Sequence, residues 1–375
     1  MPRLVPRSRA ALAVVIAFLI PLGLMAIALA SRDVIPRPKP RPGELPEMHW
    51  EPGPALATPR DDFGVAVVDN RIYALGGMTG ERGNKLDTTE VYDTAAGGGW
   101  QAGPALPAGR SSFRAVTLGR TIYAIGGSVG ETSATDRVDA LDVDTGRWTA
   151  RAPLPTARFG HAVAALAGRI YAIGGSRRGE SLGSVEVYDP AADRWSAAAP
   201  LPTPRYNLQA VALDGRIYAL GGWVDGAASA VVEVYDPVAD RWSGGPALRA
   251  PISNFGAAAL DGHIYALHHT VSQVFDPFAK RWIVGNPMPT TRHGQGVVTA
   301  GDRLYAIGGC YEDPQYDLDV TEVLAPGPVL EPAPPPGARS RGGILALTIG
   351  ILGTAVLVLV VNARTRRPPH SALED

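Results

Sequence analysis

The sequence predicts an all-β fold, a propeller of six four-stranded blades flanked by two transmembrane helices. Three observations carry this. Six tryptophans, Trp50, Trp100, Trp148, Trp195, Trp242 and Trp282, recur at nearly even spacing, the last interval being the shortest. Between them the same short phrases return in the same order, and beyond each end of the series lies a long run without a charge. A period of about 47 residues is far longer than a heptad and has the size of one four-stranded blade. The chain of 375 residues holds 44 Gly, 34 Pro and one Cys, too much Gly and Pro for a helical bundle, and Cys310 alone forms neither an internal disulfide nor an all-cysteine zinc site.

The first element is the uncharged run from Ala10 to Ala30, preceded by Arg3, Arg7 and Arg9. It is long enough to span a hydrocarbon layer of about 30 Å as a helix. Ala28-Leu29-Ala30 has the small-x-small form of a cleavage site, so residues 1–30 read as either an anchor or a signal peptide. Residues 31–47 carry Pro36, Pro38, Pro40, Pro42 and Pro46, and residues 326–341 carry Pro326, Pro328, Pro332 and Pro334-Pro335-Pro336. Both read as semi-rigid polyproline stalks. A second uncharged run, Gly342 to Val361, reads as a membrane helix, and Arg364, Arg366 and Arg367 open a short tail at 362–375. Two spans place both termini on one side of a bilayer, here the cytoplasm, and the domain at 48–325 outside. Thirty-two Arg against three Lys point to a GC-rich, bacterial genome.

The third repeat shows the unit most clearly: Pro153-Leu154-Pro155, Arg158, an apolar run at 161–166, Arg169-Ile-Tyr-Ala-Ile-Gly-Gly175, Val185-Glu-Val-Tyr-Asp-Pro190 and Arg194-Trp195. That is four short strands separated by turn residues. Strands such as Ile-Tyr-Ala-Ile are apolar on both faces, as sheets sandwiched between neighbouring sheets require. The glycine pair ends the second strand where a side chain would obstruct, and Asp-Pro marks the turn between the third and fourth. The fifth unit replaces its glycine pair with His268-His269 and is shorter, and the sixth has Leu324-Ala325 where the others carry Tyr-Asp.

Paired glycines after an aromatic-bearing strand, then a tyrosine-bearing strand, then a spaced tryptophan, resemble the Kelch repeat. The resemblance covers residues 48–326 and implies a six-bladed β-propeller. The sixth unit stops after its third strand, and a strand around Trp50 is available to complete it. Closure of that kind brings both stalks to one spot on one face, which would face the membrane. The opposite face, with the loops joining second to third strands, is then the expected functional one.

On that face stand Arg60, Arg110, Arg158, Arg205 and Arg292, each at one fixed spacing before a strand tyrosine, with Ile252 at the fifth place. Converging arginines suit a carboxylate, sulfate or acidic peptide, and in Kelch adaptor proteins arginines of matching turns contact acidic peptides. The competing reading is that so regular a residue bonds carbonyls around the ring. After the glycine pairs come Met78, Ser128, Ser176, Trp223 and Cys310, with Thr270 in the fifth unit. Trp223 is the best single contact, able to stack on a sugar or peptide, or else to pack on a neighbouring blade. His161, His293, Glu81, Glu131, Glu180 and Glu312 are the residue types an isomerase would need, and the fold also resembles bacterial Kelch-type sialic acid epimerases. No catalytic set, metal site or cofactor motif emerges, and the glycine pairs lack the following helix of a dinucleotide site.

The formal net charge of −1 is a cancellation: residues 48–326 carry −7, residues 1–47 carry +4 and residues 327–375 carry +2. An acidic propeller is a poor match for nucleic acid, while basic flanks suit anionic headgroups. The reading is therefore a membrane-anchored extracytoplasmic module for a protein or glycan, with a carbohydrate-acid isomerase as the alternative.

Overall fold

The computed structural model describes residues 47–327 except 81–82, 131–132 and 312–315. The two apolar runs, both stalks beyond those limits and the tail lie outside the described residues, among which no helix is long and apolar enough to cross a membrane. Six four-stranded antiparallel sheets form the blades. In the third blade the strands are Ala162–Leu166, Arg169–Ile173, Val185–Asp189 and Arg194–Ala198, joined in that order.

The sixth blade is completed from the start of the domain. Met48–Pro52 pairs with Thr321–Pro326 in full register, Met48 opposite Pro326 and Pro52 opposite Glu322. The third strand of this blade thus continues past Leu324 to Pro326. Just past the pair, the Gly327 N–H donates to the Glu47 carbonyl at 2.7 Å, so the two ends of the domain leave side by side on one face.

Side chains explain the repeat. Each blade tryptophan donates its indole N–H to the carbonyl of the turn leading into its own blade. Trp100 bonds Pro54 at 3.0 Å, Trp195 bonds Ala152 at 2.8 Å, and Trp50 bonds Asn286 at 3.1 Å across the closure. The aspartate ending each third strand accepts from two backbone N–H groups of the turn that follows, as Asp189 does from Ala191 and Ala192. The sixth blade needs no such turn, and there Leu324 and Ala325 are buried. The second glycine of each pair has φ near +100°, and a Cβ on Gly77 would lie 2.6 Å from the Asp61 carbonyl.

Six apolar cores lie between neighbouring blades. The core between the third and fourth blades gathers Tyr171, Ile173, Val187 and Leu208 with Ile217 and Tyr235. The fifth blade is shorter because its second and third strands, His263–His268 and Val271–Asp276, are joined by a tight turn at His269 and Thr270, with His268 opposite Val271. His269 occupies that turn with φ 52°, so the glycine pair is dispensable there.

Candidate functional site

The face opposite Glu47 and Gly327 is built around a closed ring of backbone hydrogen bonds. The residue two places after each turn arginine, or after Ile252, donates its N–H to the corresponding carbonyl of the preceding blade. Ser112 donates to Asp62 (2.7 Å), Gly160 to Ser112 (2.8 Å), Asn207 to Gly160 (2.6 Å), Asn254 to Asn207 (2.9 Å), Gly294 to Asn254 (2.9 Å) and Asp62 to Gly294 (3.0 Å). All six have φ between 48° and 65°, the left-handed region that Gly, Asn and Asp adopt most readily. The ring frames the mouth of a central cavity of about 340 Å³, lined by first strands rich in Ala, Val and Gly.

The five turn arginines lie just outside this ring and are fully buried. Each pairs with a carboxylate on the third strand of its own blade: Arg60 with Glu90 (2.6 Å), Arg110 with Asp139 (2.8 Å), Arg158 with Glu186 (2.8 Å), Arg205 with Glu233 and Arg292 with Glu322. Arg158 also donates to the Gly174 and Ser184 carbonyls at 2.8 and 3.0 Å, tying the end of the second strand to the start of the third. Burial lowers all five guanidinium pKa values, that of Arg110 to about 10, against the opposing pull of the carboxylates. Their recurrence has a structural cause, and with no exposed surface they present nothing to a ligand in this conformation.

Trp223 is half-buried on the same face. It begins the short strand Trp223–Val224, paired with Ala227–Ala228, and its backbone bridges Tyr206 in the turn leading into the fourth blade. Phe159 holds the place of Tyr206 in the preceding turn and is also half-buried. The turns of the third and fourth blades on this face are therefore aromatic.

The sector from the fifth blade to the first is titratable. Cys310 Sγ lies 3.3 Å from His293 Nε2, and the rings of His269 and His293 are 5.5 Å apart. His268 packs edge-on against His269 at 4.2 Å. Burial, then the neighbouring histidines, depress the His268 pKa to about 4, and burial also lowers that of His293. Asp61 is 2% exposed, one carboxylate oxygen has no partner, and burial followed by repulsion from Asp62 and Asp317 raises its pKa to about 8. Burial and the nearby carboxylates likewise push the Cys310 thiol upward, favouring its neutral form. Among the described residues no three His, Cys, Asp or Glu side chains converge as metal ligands.

His161 is not at this mouth. It is fully buried between the second and third blades, where neither ring nitrogen has a partner. Of the four loop glutamates only Glu180 is described, and it is exposed; Glu81, Glu131 and Glu312 lie outside the described residues. Sequence reasoning missed Asp61, Asp62, Arg114 and the ring. The ring's signal was the recurrence of Asp, Ser, Gly, Asn, Asn and Gly two places after the turn arginine position.

Residues 62–275 match the family model described as the KLHDC2/KLHL20/DRC7 Kelch-repeats domain. Among solved structures, the one described as "Structure of YjhT" superimposes with a TM-score of 0.63 at 15% identity, over 72% of this chain and 96% of that one. At that identity the likeness is one of fold alone. No curated protein sequence matches the chain. Matched over more than half its length by a Kelch model and folded as six such repeats, the chain belongs to the Kelch-repeat β-propeller family.

Proposed function

We propose that the protein is a membrane-anchored, extracytoplasmic Kelch module that binds a protein or glycan on the face bearing the backbone ring. The observation that carries this is that the two ends of the propeller lie side by side, with Gly327 bonded to Glu47 on the opposite face. Beyond those two ends lie the apolar segments Ala10 to Ala30 and Gly342 to Val361, each long enough to cross a bilayer as a helix, and anchoring there directs the ring face outward. Kelch propellers generally serve as protein-binding modules. Here residues that differ from blade to blade lie in the turns of the ring face: Phe159, Tyr206 and Trp223 in one sector, Asp61, Cys310, His268, His269 and His293 in another. Aromatic side chains of this kind supply large contact area with a polar handle, suited to a sugar ring or a peptide.

The test is to probe the purified full-length chain against oligosaccharide and peptide arrays, with two single variants in parallel. Trp223→Ala should abolish the signal, while Phe278→Ser, at an exposed turn on the opposite face, should keep it. The reverse pattern would move the binding face. Catalysed anomer exchange of a sugar acid by the same preparation would replace binding with the isomerase reading.

A further inference from the structure

Arg114 opens the first strand of the second blade, Arg114–Leu118, and lines the central cavity. The matching positions of the other blades hold Gly64, Ala162, Gln209, Gly256 and Gly296. The repeat thus places a small or neutral residue here five times and an arginine once. Around it the walls are mostly Ala, Val, Gly and Thr from the first strands, with Phe63, Phe255 and the neutral polar Gln209, Asn254 and Gln295, and Asp62 at the mouth is the other charged lining residue.

The five turn arginines show what this fold does with a buried guanidinium: each has a carboxylate against it. Arg114 has none within ion-pair distance among the described residues. Its one protein hydrogen bond runs from Nη1 to the carbonyl of the adjacent Phe113 at 3.2 Å, and its buried Nε has no partner. Gln209, nearby in the lining, is committed elsewhere, its Nε2 donating to the Phe255 carbonyl at 2.6 Å. Arg114 is half-buried with its Nε out of water; a guanidinium withdrawn even in part from water with no anion against it is costly, and it presents a planar fork of donors that matches a carboxylate.

We propose that the central cavity is a binding site for a small monocarboxylic acid with a compact apolar body, its carboxylate held by Arg114 and its body against the Ala and Val walls. The cavity volume falls at the lower end of those that hold small ligands. Asp62 attracts Arg114 from beyond ion-pair distance and repels a second negative charge at the mouth, which selects a monoanion over sulfate or phosphate. This site lies inside the channel, beneath the ring, and does not depend on a macromolecular ligand outside it. A chain that binds nothing on its arrays can still bind the acid, so the two readings fail separately.

The probes are sodium butyrate, butyramide as its neutral isostere, and sodium sulfate at matched ionic strength, titrated calorimetrically into the full-length chain. Butyrate should bind saturably and raise the melting temperature by mass action. Butyramide and sulfate should do neither. Arg114→Gln should weaken butyrate binding at least tenfold, and in anion-poor buffer it should melt above the wild type because an uncompensated charge has been removed. Arg114→Lys should bind more weakly than wild type for want of the planar fork. The proposal is overturned if butyrate does not bind, if butyramide or sulfate binds equally well, or if the glutamine variant binds like wild type. A glutamine variant that melts below wild type without ligand would also overturn it, by marking Arg114 as a structural residue.

Discussion

Gln273 bonds Ala250 with both ends of its amide, its Oε1 accepting from the Ala250 N–H at 3.0 Å and its Nε2 donating to the Ala250 carbonyl at 3.1 Å. In the first blade the same place belongs to Glu90, which accepts from the Ala57 and Thr58 N–H groups at 2.6 and 3.0 Å while holding Arg60. The fifth blade has Ile252 instead of that arginine, and its third strand has given up the matching charge.

Gln273→Glu should therefore bury a carboxylate with no arginine. Leaving one member of a buried pair uncompensated costs about 3–5 kcal/mol. The double variant Ile252→Arg/Gln273→Glu should recover most of the loss, because it rebuilds the arrangement of the other five blades. Urea denaturation of the two singles and the double measures the coupling, and additive losses would refute it.

His161 stands where four other blades place Phe63, Phe113, Leu208 and Phe255 and the sixth places Gln295. Its ring carbon lies against Gly126, as Phe63 and Phe255 lie against Gly308 and Gly221, so the site has room for an aromatic ring. His161→Phe should stabilise the protein by about 1–3 kcal/mol at neutral pH by removing unpartnered polar atoms. Burial, with the charges of Arg158 and Arg114, holds the His161 pKa well below its ordinary 6.5. A depressed histidine contributes stability that is present above its unfolded pKa and lost as the pH falls below it. The gain from phenylalanine should thus grow from pH 7 to pH 5, and equal gains at both would exclude this account.

These residues show which parts of the molecule were legible from sequence. The tryptophans and glycine pairs could be read because each satisfies or clears the backbone in the same way in every blade that carries it, the glycine pair being absent only from the fifth. The missing fourth strand of the last unit pointed to closure by residues around Trp50, and the ladder from Met48 to Pro52 supplies it. The arginines were ambiguous because one spacing serves a ligand or a carboxylate equally well. Their partners, at a near-constant spacing further along each unit, were already visible, as was the joint loss of both charges in the fifth unit. Arg114 was hidden inside what reads as an apolar strand, and its exposure to a channel follows only from ring closure.

Asp61 gives a pH dependence of opposite sign to His161. Its folded pKa of about 8 lies above the ordinary 3.8, so the native state holds the proton more tightly. The resulting stabilisation is fully present below about pH 4 and is lost as the pH rises through 8. Asp61→Asn should flatten the fall in stability between pH 4 and pH 8 measured by chemical denaturation. An unchanged slope would place the titrating group elsewhere.

Closure by Met48–Pro52 also makes a mechanical prediction. Trp50 and Asn286 stand at opposite ends of the domain's sequence, yet they make the bond that every other blade makes within itself. Removing residues 1–52 should leave the Thr321–Pro326 edge unpaired and expose the core that Met48, Leu304 and Leu324 share. A loss of several kcal/mol in a domain of this size lowers the melting temperature by about 5–10 °C. A peptide spanning residues 46–53, added in excess to the truncated chain, should restore part of that loss by rebuilding the blade in trans. Trp50→Ala in the peptide should remove the rescue, since the indole bond and its packing fix the register. A truncated chain that melts like the full one would show that the ring does not need this strand.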